Sequence, residues 1–459
     1  MVLSVLQWPI VSTSGAVRRA RRRRALVGAI ALLLLAGAAG TRLGMTSERS
    51  RPVAGPPAAR PPVAGRPPAP TSPPVPTAPG RLRLGLDENN ANLLFAPSAR
   101  VVTAALEPWR RRLLALHPSV LRFVIDWARL APSPNRPPSW SEPEDGCLRG
   151  LPPCGAYGGV RDRLLAVASL RRAGVAAEPV AVIDDAPAWA ARPPGGCEAQ
   201  DATVSARPLN ARGLTAYRQL VASLLSEARR DGAELRYLSP WNEPDNPRFI
   251  TPQHATCSAT APSLAVSVYA QLARAMADVL AADGSAHRLL LGDLAAYPSS
   301  GARRTGVAQF VAELPPDVLC LGATWALHVY ASPTAGPRAA LAPVDALLSA
   351  LRARGRCGSS ERVWITETGA GALHPGAPRR GNAAEQLSGC RALARALGLW
   401  RTDPAVDAVL QYTFREDTLF PVGLADAGLT RLYPTYGLLR AFSAGAADPA
   451  LVGACDHPA

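Results

Sequence analysis

The stretch Arg236 to Asn246, R-Y-L-S-P-W-N-E-P-D-N, decides how the rest of the chain is interpreted. Residues 235–238 have the apolar character of a short buried strand, and the chain then turns polar with Asn242 and Glu243. Pro244 stops further strand pairing. An amide and a carboxylate at the carboxyl end of a strand are typical of the catalytic face of a barrel enzyme. The stretch therefore predicts a strand whose end carries chemistry.

A second strand of the same kind ends on Glu367. The apolar run 363–366 precedes it, and T-G-A-G follows it. Two strands thus each deliver one glutamate. Splitting a glycosidic bond needs two such groups, because one carboxylic acid protonates the leaving oxygen while a carboxylate attacks or assists at the sugar carbon. The pair predicts that reaction if both side chains meet at one end of the fold.

Residues 81–445 alternate apolar strands with amphipathic helices. The predicted strands are 81–86, 120–125, 178–183, 235–238, 289–294, 323–328, 363–367 and 408–412. The predicted helices are 98–116, 160–173, 214–231, 263–282, 307–314, 343–354, 383–399 and 435–442. Eight such units predict an α/β fold, a (β/α)8 TIM barrel, with the glutamates on strands four and seven and a short tail at 446–459.

The motifs W-N-E-P (241–244) and W-I-T-E-T-G (364–369) resemble the acid/base and nucleophile strands of glycoside hydrolase clan A. Those strands are the fourth and seventh of the clan's barrel, and the resemblance, which covers residues 81 to about 445, is to family 39 and family 5-like retaining glycosidases. It implies Glu243 as acid/base and Glu367 as nucleophile. The implied reaction is double displacement at O-glycosidic bonds of an extracellular poly- or oligosaccharide.

The resemblance also implies supporting residues around the two glutamates. Arg122, in L-R-F-V, takes the place of the clan's arginine beside the nucleophile, and Asn242 takes that of the amide that binds the sugar 2-hydroxyl. His328 and Tyr330 end strand six, where the clan lines the subsite of the cleaved sugar. Tyr330 is positioned to donate to Glu367. These assignments are expectations for the structure to place.

Several aromatic residues follow predicted strands and are candidates to stack on sugar rings: Trp127, Trp140, Trp189 and Tyr412. Trp325 and Trp364 are expected in the core instead. Strand eight departs from the clan pattern, since it ends in Tyr412, Thr413 and Phe414 where the clan has a tryptophan. The departure leaves the sugar and its linkage open.

Composition excludes several other functions. The net charge is +15, but residues 1–80 hold eleven Arg and one acidic residue, a net of +10 that leaves +5 for the rest, so we expect no nucleic-acid partner. All fifty basic residues are Arg. Without lysine, Schiff-base aldolases, pyridoxal phosphate enzymes and phosphate-loop lysines are excluded. No cysteine or histidine cluster has zinc spacing, and we expect neither a metal nor a cofactor.

The amino-terminal region predicts export. Residues 1–24 form an Arg-rich cytoplasmic leader, and residues 25–41 form an apolar segment that is either a transmembrane anchor or a cleaved signal. Residues 42–80 are a proline-rich disordered linker, read either as a semi-rigid spacer or as filler. We therefore expect an extracytoplasmic catalytic domain, held at the membrane or secreted, and a monomer.

Eight cysteines fit disulfides in an exported protein. Cys147 and Cys154 are close enough to close one loop, and Cys197 and Cys257 fall in two loops predicted to lie side by side. The remaining four allow three pairings, which the sequence does not rank: Cys320, Cys357, Cys390 and Cys455.

Two other functions stay open at this point: a carbohydrate-binding barrel without turnover, and a transglycosylase that uses the same site. The separation of the two carboxyl groups discriminates the binding barrel from the enzyme. About 5 to 5.5 Å suits a retaining pair, whereas carboxyls more than about a dozen ångströms apart, or on different faces, would exclude hydrolysis by this route.

Overall fold

The computed structural model describes residues 82–94, 104–175, 177–336, 338–355, 361–371 and 382–456. The predicted leader, membrane segment and proline-rich linker, residues 1–80, lie outside the described residues, as does Cys357.

Eight strands and the helices between them follow in chain order. The strands are β1 Arg83–Asp87, β2 Val120–Asp126, β3 Glu178–Asp184, β4 Tyr237–Ser239, β5 Arg288–Leu294, β6 Thr324–His328, β7 Arg362–Thr368 and β8 Val406–Tyr412. The helices are α1 Ala91–Leu94, α2 Glu107–Leu114, α3 Trp127–Leu130, α4 Gly159–Arg172, α5 Ala211–Arg230, α6 Leu264–Asp283, α7 Val307–Glu313, α8 Pro316–Leu319, α9 Ala342–Arg354, α10 Ala383–Thr402, α11 Pro434–Ser443 and α12 Asp448–Ala454, with a 3-10 turn at Val204–Ala206.

The strands pair in parallel in sequence order, and β8 returns to β1, so the sheet is a closed barrel. The predicted (β/α)8 barrel is confirmed, and each predicted strand is found within a few residues of its expected bounds. Strand β4 lies nearer the carboxyl end than predicted, since Ser239 pairs with Val182. All eight carboxyl ends therefore meet at one face, where barrel enzymes build their sites.

The lower half of the barrel interior is apolar. Alternate strand residues fill it, as the two-residue period of a strand requires: Val120, Val180, Leu290, Ala326, Trp364, Ala408 and Leu410. Trp364 packs against Tyr237 with ring centroids 4.5 Å apart, and the Arg83 guanidinium covers its ring at 4.4 Å. Trp364 and Trp325 are buried core residues, as predicted.

Two irregularities in strand pairing change which side chains reach the upper interior. Pairing of β5 with β6 shifts between Gly292 and Leu294, and pairing of β6 with β7 shifts after Leu327. A bulge inserts an extra residue and re-aims the side chain beside it. Asp293 and Glu367 consequently face the interior. Gly292 permits the first bulge, because its φ is +85° and a Cβ there would lie 2.9 Å from a backbone oxygen.

Helix α6 is long and apolar enough to cross a membrane, the one such helix among the described residues. Half of its most apolar segment is buried within the protein. Its Tyr269 hydroxyl accepts a hydrogen bond from the Gly292 backbone N–H at 2.7 Å, in the way a barrel helix packs on its strands. We therefore interpret α6 as a helix of the outer ring.

Three disulfides lie within the described residues. Cys147–Cys154 and Cys197–Cys257 form as predicted. Cys390 pairs with Cys455, which selects among the pairings that the sequence left open. This third bond ties α10 to the residue after α12, so the predicted tail carries a helix fastened to the barrel.

Candidate active site

The two glutamates meet at the carboxyl face of the barrel. Glu243 follows β4 directly, and Glu367 lies near the end of β7. One carboxylate oxygen of each, together with a ring nitrogen of His328, all lie within 4.8 Å of one another. This separation is close to the value of about 5 to 5.5 Å for retaining pairs. The carboxyls therefore lie on one face and at a reacting distance.

Glu367 is held by two fixed donors. Arg122 Nη1 donates to its Oε1 at 2.9 Å, and the Tyr330 hydroxyl donates to its Oε2 at 2.6 Å. Burial, followed by the negative charge of Glu367, raises the pKa of Tyr330 well above its usual range, so the phenol stays protonated. The predicted contacts of Arg122 and Tyr330 with Glu367 are present, and both oxygens of this carboxylate are oriented.

Glu243 is held differently. Its Oε1 lies 2.7 Å from His328 Nδ1, and its Oε2 accepts from Asn246 Nδ2 at 2.6 Å. Its φ of 37° is a left-handed conformation that costs a residue other than glycine on the order of 1–3 kcal/mol. The Glu243 backbone N–H donates to the Asp293 carbonyl at 2.9 Å, which helps to hold this turn.

Arg122 is the centre of the buried charges. It rises from β2 two residues above Val120 and is fully buried. Besides Glu367 it donates to Asp87, to Asp293 Oδ2 at 2.9 Å and to Asn242 Oδ1 at 2.7 Å. Burial opposes its charge, but Asp293, Asp87 and Glu367 outweigh burial and raise its pKa well above the usual range. The guanidinium is therefore a permanent cation.

His328 is a second buried cation. Its Nε2 faces Asp293 Oδ1 at 3.1 Å, and its Nδ1 lies 3.4 Å from Glu367 Oε2 as well as 2.7 Å from Glu243. Burial lowers its pKa, yet Glu367, Asp293 and Glu243 together raise the pKa of His328 to about 10. For Asp293, burial is likewise outweighed, here by Arg122 and His328, which lower its pKa.

Two further buried carboxyls carry raised pKa values. Burial and the nearby Glu367 raise the pKa of Asp87 to about 7 against the opposing charge of Arg122. Burial and Glu243 do the same for Asp245, also to about 7. Asp245 Oδ1 accepts from the Ala295 N–H at 2.8 Å. The face therefore concentrates negative charge around two cations.

The spacing of Glu243, His328 and Glu367 would also suit a metal ion. A histidine that binds a metal ion, however, must be a neutral imidazole. With a pKa of about 10, His328 is protonated near neutral pH, and both of its nitrogens face carboxylates. Binding of a metal ion here would therefore first require the His328 ring to release a proton.

Of the four aromatic residues predicted to stack on sugar rings, two are buried. Trp127 is wrong as a stacking residue, because it is 1% exposed and packs edge-on against Trp189 and Tyr217 in the helix layer. Trp140 is likewise buried and donates to Ser223 Oγ at 3.0 Å.

Trp189 and Tyr412 keep partly exposed positions. Trp189 lines a surface pocket of about 360 Å³ together with Pro134, Arg212, Thr215, Ala216 and Gln219. None of these residues forms a hydrogen bond or an ion pair with either glutamate. Tyr412 ends β8, where its hydroxyl donates to Asp417 at 3.2 Å and Phe420 packs edge-on between it and Tyr330. Tyr412 thus borders the site, and Trp189 lies outside the charged cluster.

Sequence reasoning did not assign a role to Asp87, Asp293, Asn246 or Thr366. Asp87 pairs in register with Arg122, and Thr366 donates to Asp293 Oδ1 at 2.6 Å. A signal was present for both aspartates, because Asp87 is the last residue of an apolar strand and Asp293 is the last but one of another, in R-L-G-L-D and L-L-L-G-D-L. Polar residues at the ends of barrel strands are candidates for the site by position alone.

The sequence matches no protein-family profile and no curated protein. Solved structures do resemble it. SrfJ from Salmonella typhimurium is 11% identical with a TM-score of 0.50, over 79% of this chain and 74% of that one. A GH5_18 protein from Bifidobacterium longum subsp. infantis is 17% identical with a TM-score of 0.48, over 80% of each chain.

A family 39 glycoside hydrolase from Bacteroides cellulosilyticus WH2 is 14% identical with a TM-score of 0.47, over 80% of this chain and 64% of that one. At these identities the likeness concerns the fold. SrfJ and the closed eight-strand sheet together establish that this chain is a (β/α)8 barrel.

Proposed function

We propose that this protein is a retaining glycoside hydrolase, with Glu243 as acid/base and Glu367 as nucleophile. One observation carries the proposal: the two carboxylates oppose each other at the catalytic face with oxygens no more than 4.8 Å apart. An inverting pair is set about 6.5 to 9.5 Å apart to leave room for a water molecule, whereas a retaining pair is closer.

The surroundings of Glu367 suit attack on a sugar carbon. Both oxygens accept a hydrogen bond, from Arg122 and Tyr330, and the side chain is 9% exposed. Two fixed donors orient the carboxylate before substrate arrives, so little reorganisation accompanies the reaction. Asn242, which is oriented by Arg122, is proposed to bind the sugar 2-hydroxyl, where the hydrogen bond strengthens as the oxocarbenium ion develops.

Glu243 is the more accessible of the two, at 15% side-chain exposure, as an acid that must reach the leaving oxygen requires. Its proton passes to that oxygen as the bond to Glu367 forms. In the second step Glu243 accepts a proton from water, and the water oxygen replaces Glu367 at the sugar carbon. Glu243 therefore acts first as acid and then as base.

The proposed substrate is an extracytoplasmic poly- or oligosaccharide. Three disulfides within the described residues favour an oxidising compartment. Long connections after β2, β3 and β4 carry two of these bonds at the carboxyl ends of the strands, and we propose that they give the cleft rigid walls. We propose export through the apolar segment at residues 25–41, with membrane retention or release as the two outcomes.

A panel of aryl glycosides and polysaccharides tests the proposal, run on the protein beside Glu243→Gln and Glu367→Gln. We expect hydrolysis by the unmodified protein, loss in both variants, and a first-formed sugar of retained configuration by proton NMR. Activity that survives both substitutions would overturn the assignment. Binding without turnover on the whole panel would favour a carbohydrate-binding barrel, and transfer to added sugar in place of water would identify a transglycosylase.

A further inference from the structure

The Asp293 side chain contacts one hydrogen-bond partner of each glutamate. It contacts neither glutamate side chain itself. Its Oδ2 accepts from Arg122 at 2.9 Å, and its Oδ1 faces His328 Nε2 at 3.1 Å. The residue is fully buried, so it does not reach a sugar. Asp293 therefore acts on the site through Arg122, through His328, or through both.

The carboxylate of Glu243 has two side-chain partners, and one of them is ionisable. Its Oε2 is taken by the Asn246 amide N–H, which only donates. Its Oε1 lies 2.7 Å from His328 Nδ1, which donates when the ring is charged and accepts when Nδ1 is bare. His328 Nδ1 is therefore the ionisable group within hydrogen-bond distance of the Glu243 carboxylate, and a proton shared between Nδ1 and Oε1 is available to the acid.

We propose that Asp293 is a positioning residue that keeps a proton on His328 Nε2 and thereby leaves Nδ1 as the proton source for Glu243. The inference rests on the proposed function. In the first step the Nδ1–H bond breaks and an Oε1–H bond forms, which converts imidazolium and carboxylate into neutral imidazole and carboxylic acid. That proton then passes to the leaving oxygen, and the water of the second step returns one proton to the pair.

We call this transfer of a proton from His328 to Glu243 the relay. The surroundings of His328 support it. Three carboxylates contact its ring: Glu243, Glu367 and Asp293. The charges of Asp87, from β1, and Asp245, from the segment after β4, also interact with it. Arg122, from β2, binds Asp293 and Glu367. Thr366 donates to the oxygen of Asp293 that faces Nε2 and holds this carboxylate in place. Both ring nitrogens face carboxylate oxygens, an arrangement that favours a ring with two protons, and these charges raise the pKa of His328 to about 10.

Asp87 provides a matched control, because it binds Arg122 as Asp293 does but makes no hydrogen bond to His328. In Asp293→Asn we expect kcat/KM on a phenyl glycoside, whose leaving group needs a proton, to fall about 100-fold. On a 2,4-dinitrophenyl glycoside, which leaves without one, the loss should be no larger than the loss that Asp87→Asn causes through Arg122. Asp87→Asn should lower both by a similar factor. Equal losses in Asp293→Asn would show that it only anchors Arg122 and would overturn the relay.

A second readout does not depend on turnover. The chain has six histidines, so the full-length protein labelled with 15N-histidine gives few ring signals, and His328 is identified by its loss in His328→Gln. We expect the pH at which the His328 ring loses a proton to fall by about three units in Asp293→Asn, so that much of the ring is neutral near neutral pH, with a smaller shift in Asp87→Asn. An unchanged midpoint in Asp293→Asn would contradict the proposal.

The two readouts separate the possible failures. Activity with an unshifted His328 would overturn the relay alone. Inactivity on every glycoside would overturn the proposed function, and the catalytic role of the relay with it. Should Asp293→Asn not fold, His328→Gln carries the same kinetic test, since it removes the proton source and should reproduce the dependence on leaving group.

Discussion

The two glutamates of this barrel sit in different surroundings. Glu367 accepts from Arg122 and Tyr330, whose protons stay in place near neutral pH, whereas Glu243 faces His328, whose Nδ1 can give its proton away. A carboxylate that attacks benefits from fixed donors, and one that acts as acid and base needs an exchangeable proton. The difference supports the proposed roles of the two glutamates without reference to any other protein.

The largest expected effect comes from Glu367→Gln. An amide cannot form the glycosyl ester, so kcat should fall on the order of 10⁵-fold on every glycoside, whatever its leaving group. Steady-state rates on phenyl and 2,4-dinitrophenyl glycosides check this. Retained activity on the dinitrophenyl substrate would mean that another group attacks.

In Glu243→Gln, by contrast, the loss of activity should depend strongly on the leaving group. We expect kcat/KM to fall about 10²- to 10⁴-fold on a phenyl glycoside, because general acid assistance is lost, and to change little on a 2,4-dinitrophenyl glycoside. Added azide, which needs no base to attack, should restore kcat on the dinitrophenyl substrate and yield a glycosyl azide of retained configuration. An equal loss on both substrates without azide rescue would count against the assignment.

Removal of one hydrogen bond from each glutamate sharpens the comparison. Tyr330→Phe removes a donor to Glu367 and should lower kcat/KM about 10²-fold on both substrates, the order found for loss of one preorganised donor. Asn246→Ala removes a donor to Glu243 and should affect mainly the phenyl glycoside. The same leaving-group dependence in both variants would show that the two environments are not functionally separate.

Much of this arrangement follows from the sequence. Eight alternating units predict the barrel, and polar residues at strand ends meet because parallel strands all end at one face. That reasoning brought together Glu243, Glu367, Arg122, Asn242, His328 and Tyr330.

The features of the site that the sequence did not predict depend on local irregularities of the strands and their ends. Asp293 faces inward because of a bulge at Gly292, and a pattern with a period of two does not reveal an extra residue. Trp127 was predicted to face sugar, yet Asp126 accepts from the Arg129 N–H and starts a helical turn at Trp127. That turn carries the indole into the helix layer against Tyr217.

Stability should depend on pH through His328. Its pKa is raised from 6.5 to about 10, so the charged ring stabilises the folded state fully below about pH 6.5, and this stabilisation is lost as the pH rises through about 10. We expect the urea midpoint of the unmodified protein to fall between about pH 7 and pH 10. The midpoint of His328→Gln should fall less over this range. Parallel curves for the two proteins would contradict a cationic His328.

The smallest expected effect is at Trp189, which lies in a pocket apart from both glutamates. Trp189→Ala should leave kcat/KM on aryl glycosides nearly unchanged. If the pocket holds a distant sugar unit, KM on a long oligosaccharide should rise several-fold, as expected for loss of one aromatic contact. A large loss on the aryl glycosides would place Trp189 in the site itself.

The most direct test of the account is to trap the covalent intermediate. The protein is incubated with a 2-deoxy-2-fluoro glycoside that carries a dinitrophenyl leaving group, on the sugar identified by the aryl glycoside panel, and its peptides are sequenced by mass spectrometry. We predict one fluoroglycosyl group, attached to Glu367. Attachment at Glu243, or hydrolysis that proceeds with inversion and leaves no labelled peptide, would contradict the assignment of the two carboxylates.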